Sequence, residues 1–245
     1  MPARLDQVDD PRLAASLLTA RRGTAYFARK LAELGDEEFD APSLVPGWTR
    51  RHVIAHVGYN ARALTRLLEW ATTGIETPMY AGAEQRLREI ENGASLQPIA
   101  LRHLVAHSNV HLNVEWRDLS PAAWQAQVRT AQGRTVPAGE TAWMRSREVW
   151  IHAVDLNNGG SYRDFPPDLL DDLLADVTRV WRQRGTGLHL TLHPTDRISS
   201  IDIGPHPTDH ITGSAADLAR WATGRGTGGL AITGAGTVPA PPRWL

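Results

Sequence analysis

The chain has 245 residues, 42% of them hydrophobic and 22% charged, with a formal net charge of -1 and no cysteine. That length allows one large or two modest domains with a real core, and the near-neutral balance gives no basic field to attract nucleic acid or an anionic membrane. Without cysteine there is no disulfide, no zinc–thiolate site and no protein thiol nucleophile, so any sulfur chemistry must use a thiol from outside.

The opening "MPARLDQVDDPRLAASLL" is Asp-rich and lacks the apolar stretch of a signal peptide, which points to the cytoplasm. No later run approaches the ~18 apolar residues of a membrane span. A first helix fits "DPRLAASLLTARRGTAYFARKLAEL", with Asp10 as N-cap and Pro11 at its first position. A second covers "GWTRRHVIAHVGYNARALTRLLEWATTG", capped by Thr49 and stopped by Gly74. A third covers "SLQPIALRHLVAHSNVHLNVEWRDL", and a fourth runs from about Thr141 through Leu156 to the stop signal "NNGG". Between the second and third, "IETPMYAGAEQRLREIENGAS" is long enough to hold a short helix and cover a site. Four such helices suggest a bundle whose core can hold a metal.

After "FPPDLLDDLLADVTRVWRQRG" the pattern shortens and alternates. "LHLTLHP", "ISSIDIG" and "LAITG" read as strands, and "SAADLARWATGRG" as a helix capped by Ser214. This is a small α+β unit, joined through "GGSYRDFPPD" as the natural linker, with "VPAPPRWL" as an extended tail. The expected division is residues 1–160 and 161–245.

The fourth helix raises a chemical question. At about 100° per residue, Arg145, Glu148, His152 and Asp155 share one arc of about 80°. That arc is either the solvent face or a ligand face; from this helix alone both readings stand. Glu148 and His152, four apart, have Cβ atoms ~6 Å from each other, close enough to reach one ion at ~2.0–2.2 Å. On the second helix Val53, Val57, Ala61, Leu64, Leu67 and Leu68 form the apolar arc, and His56 falls inside it. His52 sits at the margin beside Tyr59 and reads as a surface or supporting residue. An inward His56 with Glu148 and His152 makes two imidazoles and one carboxylate, a three-ligand catalytic zinc set with the fourth position open. His103, His107 and His111 recur every four residues on the third helix but straddle its polar and apolar faces, and read mostly as polar residues outside the ligand set. There is no G-x-S-x-G nucleophile and no P-loop. The glycine-rich "GAGTVPAP" and "TGRGTGG" do not open a helix after a strand, so they read as turns.

The segments "GWTRRHVIAHVGYNA", "TGIETPMY", "TAQGRTVPAGETAWMRSREVWIHAVDL" and "PPRWL" resemble the mycothiol-dependent maleylpyruvate isomerases over nearly the whole chain. The resemblance implies an N-terminal DinB-like four-helix bundle followed by a sterol carrier-like α+β domain. It implies zinc on His56, Glu148 and His152, a catalytic arginine at Arg86 and a second, from the C-terminal domain, at Arg225. The implied reaction is isomerisation of maleylpyruvate to fumarylpyruvate. Mycothiol, with its sulfur on zinc as a thiolate, adds to the conjugated alkene, the bond rotates, and the thiol leaves. Zinc makes such a thiolate available at neutral pH, which a free thiol of pKa ~8.5 only partly does. Arg86 can hold a carboxylate or the enolate oxygen in a bidentate fork. Two other functions fit the same residues: a mycothiol S-transferase, which would consume the thiol, and a non-catalytic ligand-binding protein with structural zinc.

Overall fold

The computed structural model describes residues 6–233 and 236–244. The first five residues of the Asp-rich opening, the last residue of the expected strand "LAITG", the second residue of "GAGTVPAP" and the final leucine of the tail lie outside that range. The chain divides into two compact units, residues 1–160 and 161–245.

The first unit is helical. α1 spans Pro11–Ala32, and its N-cap Asp10 accepts from Arg12 N–H at 2.8 Å. α2 spans Arg50–Thr73 and ends on Gly74, whose φ of 73° supplies the left-handed turn that closes the helix. α3 (Ala83–Ala94) is the helix within the long connection, α4 spans Pro98–Asp118, and α5 is a single turn at Pro121–Trp124. A two-stranded antiparallel hairpin follows, β1 (Gln127–Arg129) and β2 (Thr135–Pro137), and α6 spans Glu140–Asp155. α2 packs on α4, α3 and α6, and α1 packs on α6.

The apolar stripe of α2 drives this arrangement: Val53, Val57, Ala61, Leu64, Leu67 and Leu68 are wholly buried. Each large aliphatic side chain so removed from water contributes about 1.5–3 kcal/mol. Small residues let the helices approach. A Cβ on Gly23 of α1 would collide with the Trp150 indole of α6, which stacks on Tyr26 and donates to Thr19 O at 3.0 Å. Among the described residues no helix is long and apolar enough to cross a membrane.

The second unit sets α7 (Pro167–Arg184) and α8 (Ala215–Ala222) against a four-stranded sheet of order β4-β3-β5-β6. β3 (Leu190–Pro194) pairs antiparallel with β4 (Ile201–Ile203) and parallel with β5 (Asp209–Gly213), and β6 (Ala231–Thr233) closes the other edge antiparallel to β5. β5 was not among the expected strands. The linker segment is also more structured than expected: Tyr162 and Phe165 are buried, and the Tyr162 hydroxyl lies 2.6 Å from Thr223 Oγ1. The tail is held by two indoles, Trp221 donating to Pro239 O at 2.7 Å and Trp181 to Pro242 O at 3.1 Å.

Candidate metal centre

The site is assembled where the start of α2 meets the end of α6. Thr49 N–H donates to His52 Nδ1 at 3.2 Å, so His52 satisfies a backbone group at the N-terminus of α2. Its Nε2 points away, 3.5 Å from Glu91. Arg50, the first residue of α2, donates from Nε to Leu156 O and from Nη2 to Asn157 O, both at 2.7 Å. Leu44 N–H donates to Asp155 O at 3.0 Å. These bonds fill carbonyls at the C-terminal end of α6 and tie the two helices together.

One turn beyond His52, His56 is buried, 3% exposed, with its ring edge against Trp48. Its Nε2 lies 2.7 Å from Glu148 Oε2, and His152 Nε2 lies 3.2 Å from the same oxygen. The two imidazoles stand nearly perpendicular, 4.8 Å between centroids. One donor atom from each of His56, Glu148 and His152 falls within 4.8 Å of the others, so the cluster could hold a metal ion.

The surroundings fit that use. Asp155, wholly buried, accepts from His152 Nδ1 at 2.8 Å, which turns Nε2 toward the cluster and raises its basicity. Among the described residues the buried His56 Nδ1 has no hydrogen-bond partner, which leaves Nε2 as the ring's polar contact, and that atom faces the cluster. Two imidazoles and one carboxylate suit zinc.

The protonation balance follows from the same contacts. Burial pulls the His56 pKa down, and Glu148 only partly opposes it; His152 and Arg86 add to the depression. Burial acts to raise the Glu148 carboxyl, but the two histidines outweigh it and hold the group well below the usual carboxylate range. Burial acts to lower His152, and Asp155 and Glu148 together reverse that, so its pKa is raised.

The polar arc of α6 therefore faces the bundle interior and not solvent. Arg145, three residues before Glu148, is wholly buried. Its Nη1 donates to Val57 O at 2.9 Å and Asn60 Oδ1 at 2.8 Å, and its Nη2 to Asn109 Oδ1 at 2.5 Å. Burial lowers this guanidinium to about 10 against the opposing pull of Glu148 and Tyr80.

Arg86 lies half-buried on α3, close enough for its charge to act on His56 and Tyr80. Among the described residues it has no carboxylate partner, whereas Arg88 pairs with Glu84 at 3.3 Å on the surface. Tyr80 was missed in the sequence although it closes the "TPMY" segment. Burial, then the charge of Glu148, pushes its phenol up to about 12, with Arg86 opposing. His103, His107 and His111 are exposed outside the cluster, and His111 Nε2 sits 3.4 Å from Glu115. Arg225 lies in the second unit, on the turn after α8, its Nη1 donating to Thr223 O at 2.5 Å.

Comparison with known proteins agrees with this architecture. Residues 20–157 match the family model described as the mycothiol maleylpyruvate isomerase N-terminal domain. The crystal structure of a mycothiol-dependent maleylpyruvate isomerase superposes with a TM-score of 0.92 at 47% identity, covering 96% of this chain and 98% of that one. The structure of a histidine-to-alanine mutant of such an isomerase gives the same values. No curated protein sequence matches the chain. A helical unit carrying two imidazoles and a carboxylate on facing helices, a small sheet unit behind it in sequence, and near-complete correspondence at 47% identity place the chain in the mycothiol-dependent maleylpyruvate isomerase family.

Proposed function

We propose that the protein catalyses the mycothiol-dependent cis–trans isomerisation of maleylpyruvate to fumarylpyruvate, with zinc on His56, Glu148 and His152. The observation that carries this reading is the convergence of those three donors within 4.8 Å, in a chain that contains no cysteine of its own. A thiol held as thiolate on zinc supplies a nucleophile that can add to the conjugated alkene, free the bond to rotate, and leave again.

The residues of the chain do the rest. His56 and His152 present neutral nitrogens to the cation, and Glu148 presents a carboxylate kept ionised by its neighbours. Asp155 holds the His152 ring in one orientation. Arg86, with no carboxylate partner among the described residues, takes a substrate carboxylate or the developing enolate oxygen in a planar fork. Arg225 is assigned as a second cation for the dicarboxylate substrate, on the strength of the family resemblance. The two domains are taken as residues 1–160, DinB-like, and 161–245, sterol carrier-like. The reaction is placed in the cytoplasm, where a low-molecular-weight thiol stays reduced.

The experiment is a turnover assay with maleylpyruvate, with mycothiol and zinc each withheld in turn. Activity should need both, and the total thiol should be unchanged after many turnovers. Net loss of thiol into a stable adduct would replace the isomerase reading with the transferase one.

A further inference from the structure

Arg145 is an unusual residue to find at the centre of a helical core. It is wholly buried, yet among the described residues its hydrogen bonds go to neutral oxygens: the Val57 carbonyl and the side-chain carbonyls of Asn60 and Asn109. No carboxylate neutralises it directly among the described residues. A buried cation without a paired anion is costly, so a purely mechanical brace between α2, α4 and α6 is poorly served by it; a neutral amide could make two of these bonds.

The compensation lies one turn along α6. Glu148 is close enough for its charge to stabilise the guanidinium, and Val57, whose carbonyl Arg145 binds, follows His56 directly. With neutral imidazoles, the buried set of Arg145, Glu148 and Asp155 carries one net negative charge. A dication would bring it to one positive, and a single anionic ligand would bring it to neutral. Without Arg145 the dication alone would neutralise the set, and an anion would then enter at a net cost.

We propose that Arg145 is the buried countercharge that makes the His56–Glu148–His152 centre prefer an anionic fourth ligand over a neutral one. It is a positioning residue that acts through the centre's charge and touches no substrate, and the inference rests on the metal reading above. The chemical class it selects is a thiolate or similar anion rather than water or a neutral thiol.

The test uses the full-length protein loaded with cobalt(II), whose visible spectrum reports ligand exchange. Azide serves as the anionic probe and imidazole as the neutral one, with metal content measured in each preparation. Arg145→Gln should weaken azide binding by about tenfold or more while leaving imidazole binding nearly unchanged. Arg145→Lys, which keeps the charge but loses the fork, should retain the azide preference. Because Arg145→Gln could fail to fold, Asn109→Asp is the second variant: it is nearly isosteric and sets a carboxylate against Nη2, neutralising the guanidinium in place. It should lose the azide preference as Arg145→Gln does. Unchanged azide affinity in Asn109→Asp with full metal would overturn the proposal. Failure of the unmodified protein to take up metal would instead overturn the metal reading, and this inference with it.

Discussion

Asp155 and His152 form a hydrogen-bonded pair inside the end of α6, Asp155 Oδ2 to His152 Nδ1 at 2.8 Å, with the carboxylate wholly shielded from solvent. The bond fixes which imidazole nitrogen is free to face the cluster. Asp155→Asn keeps the shape but loses the charge, and supporting partners of this kind are worth about 10–100-fold in metal affinity. Zinc affinity measured against a competing chelator should fall by that much, with the helical signal retained. An affinity equal to that of the unmodified protein would mean that Asp155 only fills space.

His52 and His56, one turn apart, are assigned opposite roles by the proposal. His56→Ala should remove most of the zinc. His52→Ala should keep the zinc and lose a capping interaction worth about 0.5–2 kcal/mol. Metal content and urea midpoints on the two variants separate these outcomes. Metal loss in His52→Ala alone would show that the wrong histidine had been assigned as ligand.

Arg86→Ala is expected to keep full zinc and lose about 10² to 10³ in turnover, the usual cost of removing a donor to a transition-state anion. Arg86→Lys should also be impaired, because a point charge does not replace the planar fork. Zinc content and turnover are to be read on the same preparation. Near-normal turnover with full zinc would reduce Arg86 to a surface charge.

Asp172 on α7 supplies a pH-dependent prediction away from the site. Burial, then the carboxylates of Asp168, Asp171 and Asp176, raise its pKa above the ordinary aspartate value. The folded chain therefore holds this proton more tightly than the unfolded chain does. Its contribution to stability is fully present below the ordinary aspartate pKa and is lost as pH rises through the raised value. Asp172→Asn should raise the unfolding free energy from urea titration at pH 7 by at most about 0.5 kcal/mol, since the residue is exposed, only partly desolvated and screened by solvent. Near pH 3 the gain should vanish; an equal gain at both pH values would rule out a charge effect.

Much of the helical unit was legible in the sequence because its helices are long and strongly periodic. The α2 wheel placed His56 inward between Ala63 and Leu67, and it is buried there. The α6 wheel grouped Arg145, Glu148, His152 and Asp155 without saying whether the group met water or protein, since periodicity gives neighbours and not burial. Arg50 at the carbonyls of Leu156 and Asn157 joins residues more than a hundred positions apart, and no local pattern announces it. The short strands β1, β2 and β5 went unread for a different reason, whereas β3, β4 and β6 lie in the expected segments. β1 and β2 each bury a single valine, Val128 and Val136, and in β5 Ile211 is the one buried large apolar side chain, so little alternation was there to read.

The carbonyls of Pro239 and Pro242, received by Trp221 and Trp181, bear on how the chain is made. His56, Glu148 and His152 all belong to the first unit, so the three donors of the proposed centre have been synthesised before the second unit begins. The sheet unit cannot satisfy the indoles of Trp181 and Trp221 in this way until residues 239–242 have left the ribosome. During translation the proposed metal centre can therefore assemble while the second unit is still an open chain, and domains fold in such an N-to-C order as a rule.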